Sequence, residues 1–186
     1  GEVGPDGSFV ASYGMALKPG DYTLRVGVLD PKSNKGAVAE QPLKMPDYAG
    51  EELALSPVLV LRDVQEAEPN PTDPMAAFQF GTMRMLARYG NTFTKEDQVT
   101  LLAFIYNPKV DDATGKPSTT ASFTILKDGK PLAKGEEVTY DTPGAGPSVG
   151  PVPLTNYQPG KYTAQVKVRD NVAKKDYTQE AVFEVK

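Results

Sequence analysis

Two Pro-Gly turns, each followed by a strictly alternating strand, constrain this chain more than any other feature. After Pro159-Gly160, the residues Tyr162, Ala164, Val166 and Val168 alternate with Thr163, Gln165, Lys167 and Arg169. Period two with apolar residues on one face is the pattern of a half-buried strand, and Pro-Gly marks the turn before it. The same arrangement follows Pro19-Gly20, where Tyr22, Leu24, Val26 and Val28 take the apolar face. Residues 19–45 and 159–185 align without a gap at an offset of 140, with nine of 27 positions identical. The pairs are Pro19/Pro159, Gly20/Gly160, Tyr22/Tyr162, Thr23/Thr163, Val26/Val166, Val28/Val168, Asp30/Asp170, Lys35/Lys175 and Glu40/Glu180. They cluster on the turn and the inward face, which points to an internal repeat of one domain.

A Tyr two residues after the turn, opening an inward-facing strand, is the spacing of the tyrosine corner of immunoglobulin-like sandwiches. Tyr22 and Tyr162 are therefore expected to be structural, each hydroxyl bonding backbone in the preceding connection. Pro31 to Gly36 reads as a hairpin turn. Ala37–Met45 reads as the return strand, with Pro42 marking an edge or a bulge.

The remaining segments give a string of short strands. Ser8–Leu17 reads as a weakly alternating strand, and residues 46–52 as a domain boundary. Leu53–Leu61 is apolar enough to begin the second domain as one strand. Residues 62–76 are acidic and prolyl, which predicts a mobile loop. Within 74–90, the Asp73-Pro74 start resembles a helix cap. The alternation of Phe78, Phe80 and Thr82 instead favours a strand near 78–86. Gln98–Asn107 predicts a central strand, and Asp111–Pro117 a loop. Thr119–Lys127 predicts a strand that turns at Asp128-Gly129 into Lys130–Leu132. Glu137–Tyr140 is expected at an edge, Asp141–Gly150 as a flexible Gly/Pro loop, and Val152–Leu154 as a last short strand. Seven or eight strands in about 135 residues is the count of an immunoglobulin-like sandwich.

The fold class expected is all-β: a complete immunoglobulin-like domain over 49–186, preceded over 1–48 by the last strands of a second copy. On the repeat logic, the front half of that copy precedes Gly1. Tyr22, Leu24, Val26 and Val28 would then lack most of their partners in this chain. The orphan strands are expected to pack on the second domain, to pair with another copy through exposed edges, or to remain poorly ordered.

Composition removes several classes of chemistry. With no Cys, His or Trp, the chain has no disulfides, no thiol nucleophile, no zinc site of Cys or His, and no His-based triad. The net charge is −4 with acids and lysines interspersed, so no basic block meets a phosphate backbone. No apolar run is long enough to span a bilayer.

The residual candidates are thin. Asp111-Asp112 lies in a loop and offers oxygen ligands to Ca²⁺, but without the further Asp or Asn positions of a calcium loop. Glu136 and Glu137 would point to opposite faces of a strand and cannot converge on one substrate. Gly144–Gly150 lacks the Lys-Ser/Thr ending and the helix of a phosphate loop. The reading is of no catalytic, cofactor-binding or metal residue, and of no cofactor. Exposed aromatics such as Tyr89, Phe93 or Tyr177 carry the alternative of a carbohydrate-binding module.

The chain resembles the C-terminal region of bacterial von Willebrand factor A-related proteins of the acidobacterial type. The likeness lies in Leu17–Val26, Gly36–Ala39, Met45–Asp47, Leu53–Ser56, Phe104–Asn107, Leu126–Gly129 and Gln158–Tyr162. The Asp-x-Ser-x-Ser metal motif of a von Willebrand A domain is missing here, so no metal or adhesive residue carries over. The resemblance implies an extracytoplasmic, non-catalytic β-sandwich module of a larger exported protein. Its expected partners are a protein, or upstream domains of the same polypeptide, with self-association through strand edges as a further route.

Overall fold

The structure, a computed structural model, describes residues 2–3, 9–10, 15–70, 78–87, 89–142, 144 and 146–186, with backbone alone for 2–3, 9–10 and 89. The fold is all-β. The chain divides into two compact units, Met15–Gly50 on one side and Gly1–Gly14 with Glu51–Lys186 on the other. Near the N-terminus, β1 (Glu2–Val3) and β2 (Phe9–Val10) form a short antiparallel pair. The strand expected over Ser8–Leu17 thus reduces to two residues where described, and Met15–Leu17 lie outside any strand.

Met15–Gly50 is one long hairpin. β3 (Gly20–Asp30) pairs antiparallel with β4 (Lys35–Met45) without a register shift, and no other described strand joins them. Pro42 sits opposite Thr23 in unbroken register, so it marks an edge and makes no bulge.

The larger unit is a β-sandwich. One sheet runs through β15 (Ser148–Pro153), β10 (Gln98–Leu102), β6 (Leu59–Glu66), β8 (Met83–Ala87) and β7 (Gln79–Phe80). The other runs through β13 (Lys130–Lys134), β12 (Thr119–Lys127), β16 (Gly160–Asp170), β17 (Lys175–Val185) and β9 (Thr92–Phe93). β14 (Val138–Tyr140) also pairs with β12. Val60, Val99 and Leu101 from the first sheet meet Phe123, Ile125, Val166 and Phe183 from the second in one core.

Two expected strands are each split in two. Leu53–Leu61 divides at Ser56-Pro57 into β5 (Ala54–Leu55) and β6, and Gln98–Asn107 divides at Ala103-Phe104 into β10 and β11 (Ile105–Tyr106). β5 pairs with β11, and β6 with β10, so both strands leave one ladder for another at the same level. The corner is held by Ser56, whose N–H donates to Phe104 O at 3.0 Å and whose Oγ accepts from Phe104 N at 2.9 Å. Strands that switch sheets at a corner do so through such breaks.

The expected loop over 62–76 is corrected over its first residues. Arg62–Glu66 continues β6 and pairs with β8 after a bulge between Leu61 and Asp63. The bulge re-aims the strand so that Val64 packs with Leu61, Met85 and Leu102 in a second, smaller cluster. Acidic composition concealed that half-buried ribbon; residues 71–77 lie outside the described residues. The strand near 78–86 is a tight β7–β8 hairpin that turns at Gly81, φ 56°.

Within the expected 141–150 loop, residues 146–150 are held against the sheet, with Ser148–Gly150 already part of β15. A Cβ at Gly146 would lie 2.0 Å from Ala103 O, and one at Gly150, φ 135°, would lie 2.9 Å from Thr100 Cα. Both positions need glycine because the backbone lies directly on β10 and its extension, where Ala103 N donates to Pro147 O at 3.1 Å.

Candidate functional site

The two hairpins that align at an offset of 140 residues share their pairing register. Gly20 faces Met45 and Asp30 faces Lys35, just as Gly160 faces Val185 and Asp170 faces Lys175. Their turns place Asn34 and Lys174, also offset by 140 residues, at φ 53° and 56°. Tyr22 Oη donates to Lys18 O at 2.9 Å, and Tyr162 Oη donates to Gln158 O at 2.6 Å. Both hydroxyls therefore bond backbone four residues upstream, as the turn spacing predicts.

Their surroundings differ. Tyr162, Val166 and Val168 are 2%, 0% and 1% exposed, while Tyr22, Val26 and Val28 are 37%, 51% and 70% exposed. The covered hairpin takes β12 along the outer edge of β16 in nine-residue register, from Thr119 opposite Asp170 to Lys127 opposite Tyr162. The facing sheet closes over its apolar side. The 20–45 hairpin has the same face, built by Tyr22, Leu24, Val26 and Val28 with Leu43 and Met45 in line. Moving a Val or Leu side chain from water into a core gains about 1.5–3 kcal/mol. Val26 and Val28 forgo most of that gain. A two-stranded hairpin that no other described strand joins is marginal in water.

The edges of the hairpin are unequal. β4 carries Pro42, which has no N–H to offer a further strand, whereas β3 runs from Gly20 to Asp30 without proline. On the opposite face, Arg25 Nε meets Glu40 Oε1 at 2.6 Å across the two strands, a solvated ion pair of small energetic weight.

The sequence candidates for chemistry disperse. Asp111 Oδ1 accepts from Ala113 N and Thr114 N, both at 2.9 Å, and these bonds hold its carboxyl below the ordinary value, that from Thr114 most of all. That oxygen closes a turn. Among the described residues, no group of three or more acidic side chains gathers in a metal-holding arrangement. Glu136 and Glu137 precede β14 in exposed chain, and Glu137 pairs with Lys134 at 3.1 Å. Phe93, proposed as an exposed ligand-stacking aromatic, is fully buried and lies edge-on to Phe183 at 6.1 Å. Tyr177 falls in the inward phase of β17 and packs on the same core. The Tyr89 side chain lies outside the described residues.

A trough of mixed polar and apolar lining lies on the second sheet, with Thr120, Gln165, Lys167, Arg169 and Asp176 beside Leu126, Pro131 and Val168. Arg169 Nη1 holds both carboxylate oxygens of Asp176, at 3.0 and 2.9 Å, so that carboxylate is engaged.

Two side chains escaped the sequence reading. Lys127 Nζ sits 4.7 Å from the centre of the Tyr162 ring and donates to Tyr162 Oη at 3.1 Å and to Gln158 O and Pro159 O at 3.3 Å. Asp170 is buried at the other end of β16 and accepts from Lys109 N, Val172 N and Ala173 N within 3.0 Å. The only sequence signal was Lys127 and Asp170 falling in phase with apolar neighbours. No helix among the described residues is long and apolar enough to cross a membrane. In comparisons with known proteins, no family model and no curated sequence matches the chain.

Proposed function

We propose that this chain is a non-catalytic β-sandwich interaction and spacer module of a larger exported bacterial protein. In this reading residues 51–186 are a complete immunoglobulin-like domain. Residues 20–45 are the closing hairpin of a second copy, offered to a protein partner or to a neighbouring part of the same polypeptide. The observation that carries it is the contrast between hairpins of one register, one covered and one exposed at Val26 and Val28. The likeness to von Willebrand factor A-related proteins and an extracytoplasmic setting belong to the same reading.

The test compares the parent polypeptide with and without Val26→Asp and Val28→Asp. The expected result is that the Pro31–Lys35 turn resists protease in the unaltered parent and is cut in the variant, while residues 51–186 unfold at the same midpoint in both. Equal cleavage in both would remove the docking role.

A further inference from the structure

Resting on that reading, we infer that the outer edge of β3 is completed by an antiparallel strand of a polypeptide partner with the chemistry of β12: alternating apolar residues ending in a lysine over Tyr22. Three observations define this occupant. First, among the described residues no strand pairs with the β3 edge, and it is the edge fit for a long ladder, because Pro42 interrupts the donors of β4. The covered hairpin is asymmetric in the same sense. β16 takes nine paired residues from β12, whereas β17 takes only Thr92 and Phe93 of β9.

Second, the register transfers. In the covered hairpin, Thr119, Ala121, Phe123, Ile125 and Lys127 stand opposite Asp170, Val168, Val166, Ala164 and Tyr162. Shifted by 140 residues, those positions are Asp30, Val28, Val26, Leu24 and Tyr22, and the β3–β4 ladder shares its register with β16–β17. Adding a strand to a sheet edge draws affinity from main-chain bonds and specificity from alternate side chains. Here those side chains must be apolar in the middle, with room at Leu24, which is larger than the Ala164 it matches.

Third, the corner calls for a cation. At Tyr162 the ring face, the hydroxyl and the two carbonyls of Gln158 and Pro159 all receive Lys127. At Tyr22 the hydroxyl bond repeats, with Tyr22 Oη bound to Lys18 O, and Lys18 and Pro19 stand where Gln158 and Pro159 do in sequence. With no lysine there the ring lies against Gly20, the side on which Lys127 approaches Gly160. A second copy of this chain does not meet the requirement. Its own β12 is flanked by β16 on one side and by β13 and β14 on the other. Two β3 strands paired antiparallel about Val26 would place Asp30 against the Tyr22 corner, a carboxylate facing carbonyl oxygens.

The probe is a synthetic peptide of the β12 sequence, Thr119–Lys127, titrated into the intact chain and followed by amide hydrogen exchange and NMR. The expected result is new protection along Asp21–Leu29, with cross-strand contacts joining the peptide lysine to Tyr22 and its first threonine to Asp30. Exchange in β16 and β17 should stay unchanged. A peptide with Ser at the Phe123 and Ile125 positions should lose binding. One with Gln at the Lys127 position should bind about threefold to tenfold more weakly, the scale of a partly exposed cation–π contact with its hydrogen bonds. No protection at millimolar peptide, protection along β4 instead, or equal binding of the Ser-substituted peptide would overturn the inference. So would β3 protection arising from self-association of the chain without peptide. These outcomes are separate from the protease result in the parent polypeptide. Protection there, without peptide binding here, would retain the docking face and discard this occupant.

Discussion

Replacing Tyr22 and Tyr162 measures what the two hairpins of one register do not share. Tyr162 is 2% exposed; its ring stacks on Phe183 at 5.4 Å and 18° and meets Tyr157 at 5.1 Å. Tyr162→Phe keeps those ring contacts and removes the bond to Gln158 O and the acceptor for Lys127. Gln158 O still receives Lys127 Nζ at 3.3 Å, so no carbonyl is orphaned, and the loss is that of one or two hydrogen bonds, about 1–2 kcal/mol. Tyr162→Ala also empties the end of the core and should cost about 3–5 kcal/mol, as other aromatic truncations do. Tyr22→Phe removes the same backbone bond at a site 37% exposed, where water replaces the partner, and should stay within about 0.5 kcal/mol. Urea unfolding followed by a probe in residues 51–186 reads the first two, and native-state exchange of residues 20–45 reads the third. If Tyr162→Phe leaves the midpoint of the larger unit unchanged, the corner bond has no energetic role. If Tyr22→Phe costs as much as Tyr162→Phe, the Tyr22 ring is covered in solution.

Three other outcomes follow from local geometry. Gly146→Ala should destabilise the larger unit by about 1–3 kcal/mol or more through overpacking against Ala103 O. Gly144→Ala, where a Cβ meets nothing within 4 Å, carries only the strain of its positive φ and should cost less in the same urea titration. EDTA and added Ca²⁺ should both leave the melting temperature unchanged, since a ligand of the folded state acts by mass action. A Ca²⁺-dependent rise of several degrees would make the Asp111-Asp112 turn a site. In an NMR titration the Asp111 carboxyl should titrate below 3.8, lowered first by the Thr114 N–H and then by that of Ala113. A depressed folded value stabilises the fold above the unfolded one and loses that contribution as pH falls through it. Asp111→Asn should therefore differ from wild type at neutral pH and converge with it in acid.

What was legible in the sequence was local and periodic. The alternation after Pro19-Gly20 and Pro159-Gly160 places both hairpins, and the residue spacing places both tyrosine hydroxyls on upstream carbonyls. The splits at Ser56-Pro57 and Ala103-Phe104 were not legible, because each half reads as one apolar run and only the mutual hydrogen bonds of Ser56 and Phe104 show where the ladder changes. Arg62–Glu66 was hidden by charge: Val64 is its single apolar residue, and the bulge that aims it inward has no composition of its own. Glycine at 146 and 150 signals flexibility and close approach alike, and the distance to β10 decides between them. Phe93 looked exposed beside polar neighbours and is the end plug of the core. Lys127 was read as an ordinary strand terminus, since its target, the Tyr162 corner, is 35 residues away in sequence.

The central claim, a completed hairpin and an open one built to the same register, is tested most directly by native-state hydrogen exchange on the chain alone, residue by residue. Amides of β16, and those of β17 hydrogen-bonded to β16, should exchange only through global unfolding, whereas the amides hydrogen-bonded between β3 and β4 should open locally and exchange orders of magnitude faster. Matched protection in the two hairpins, at concentrations where the chain is monomeric, would contradict the account.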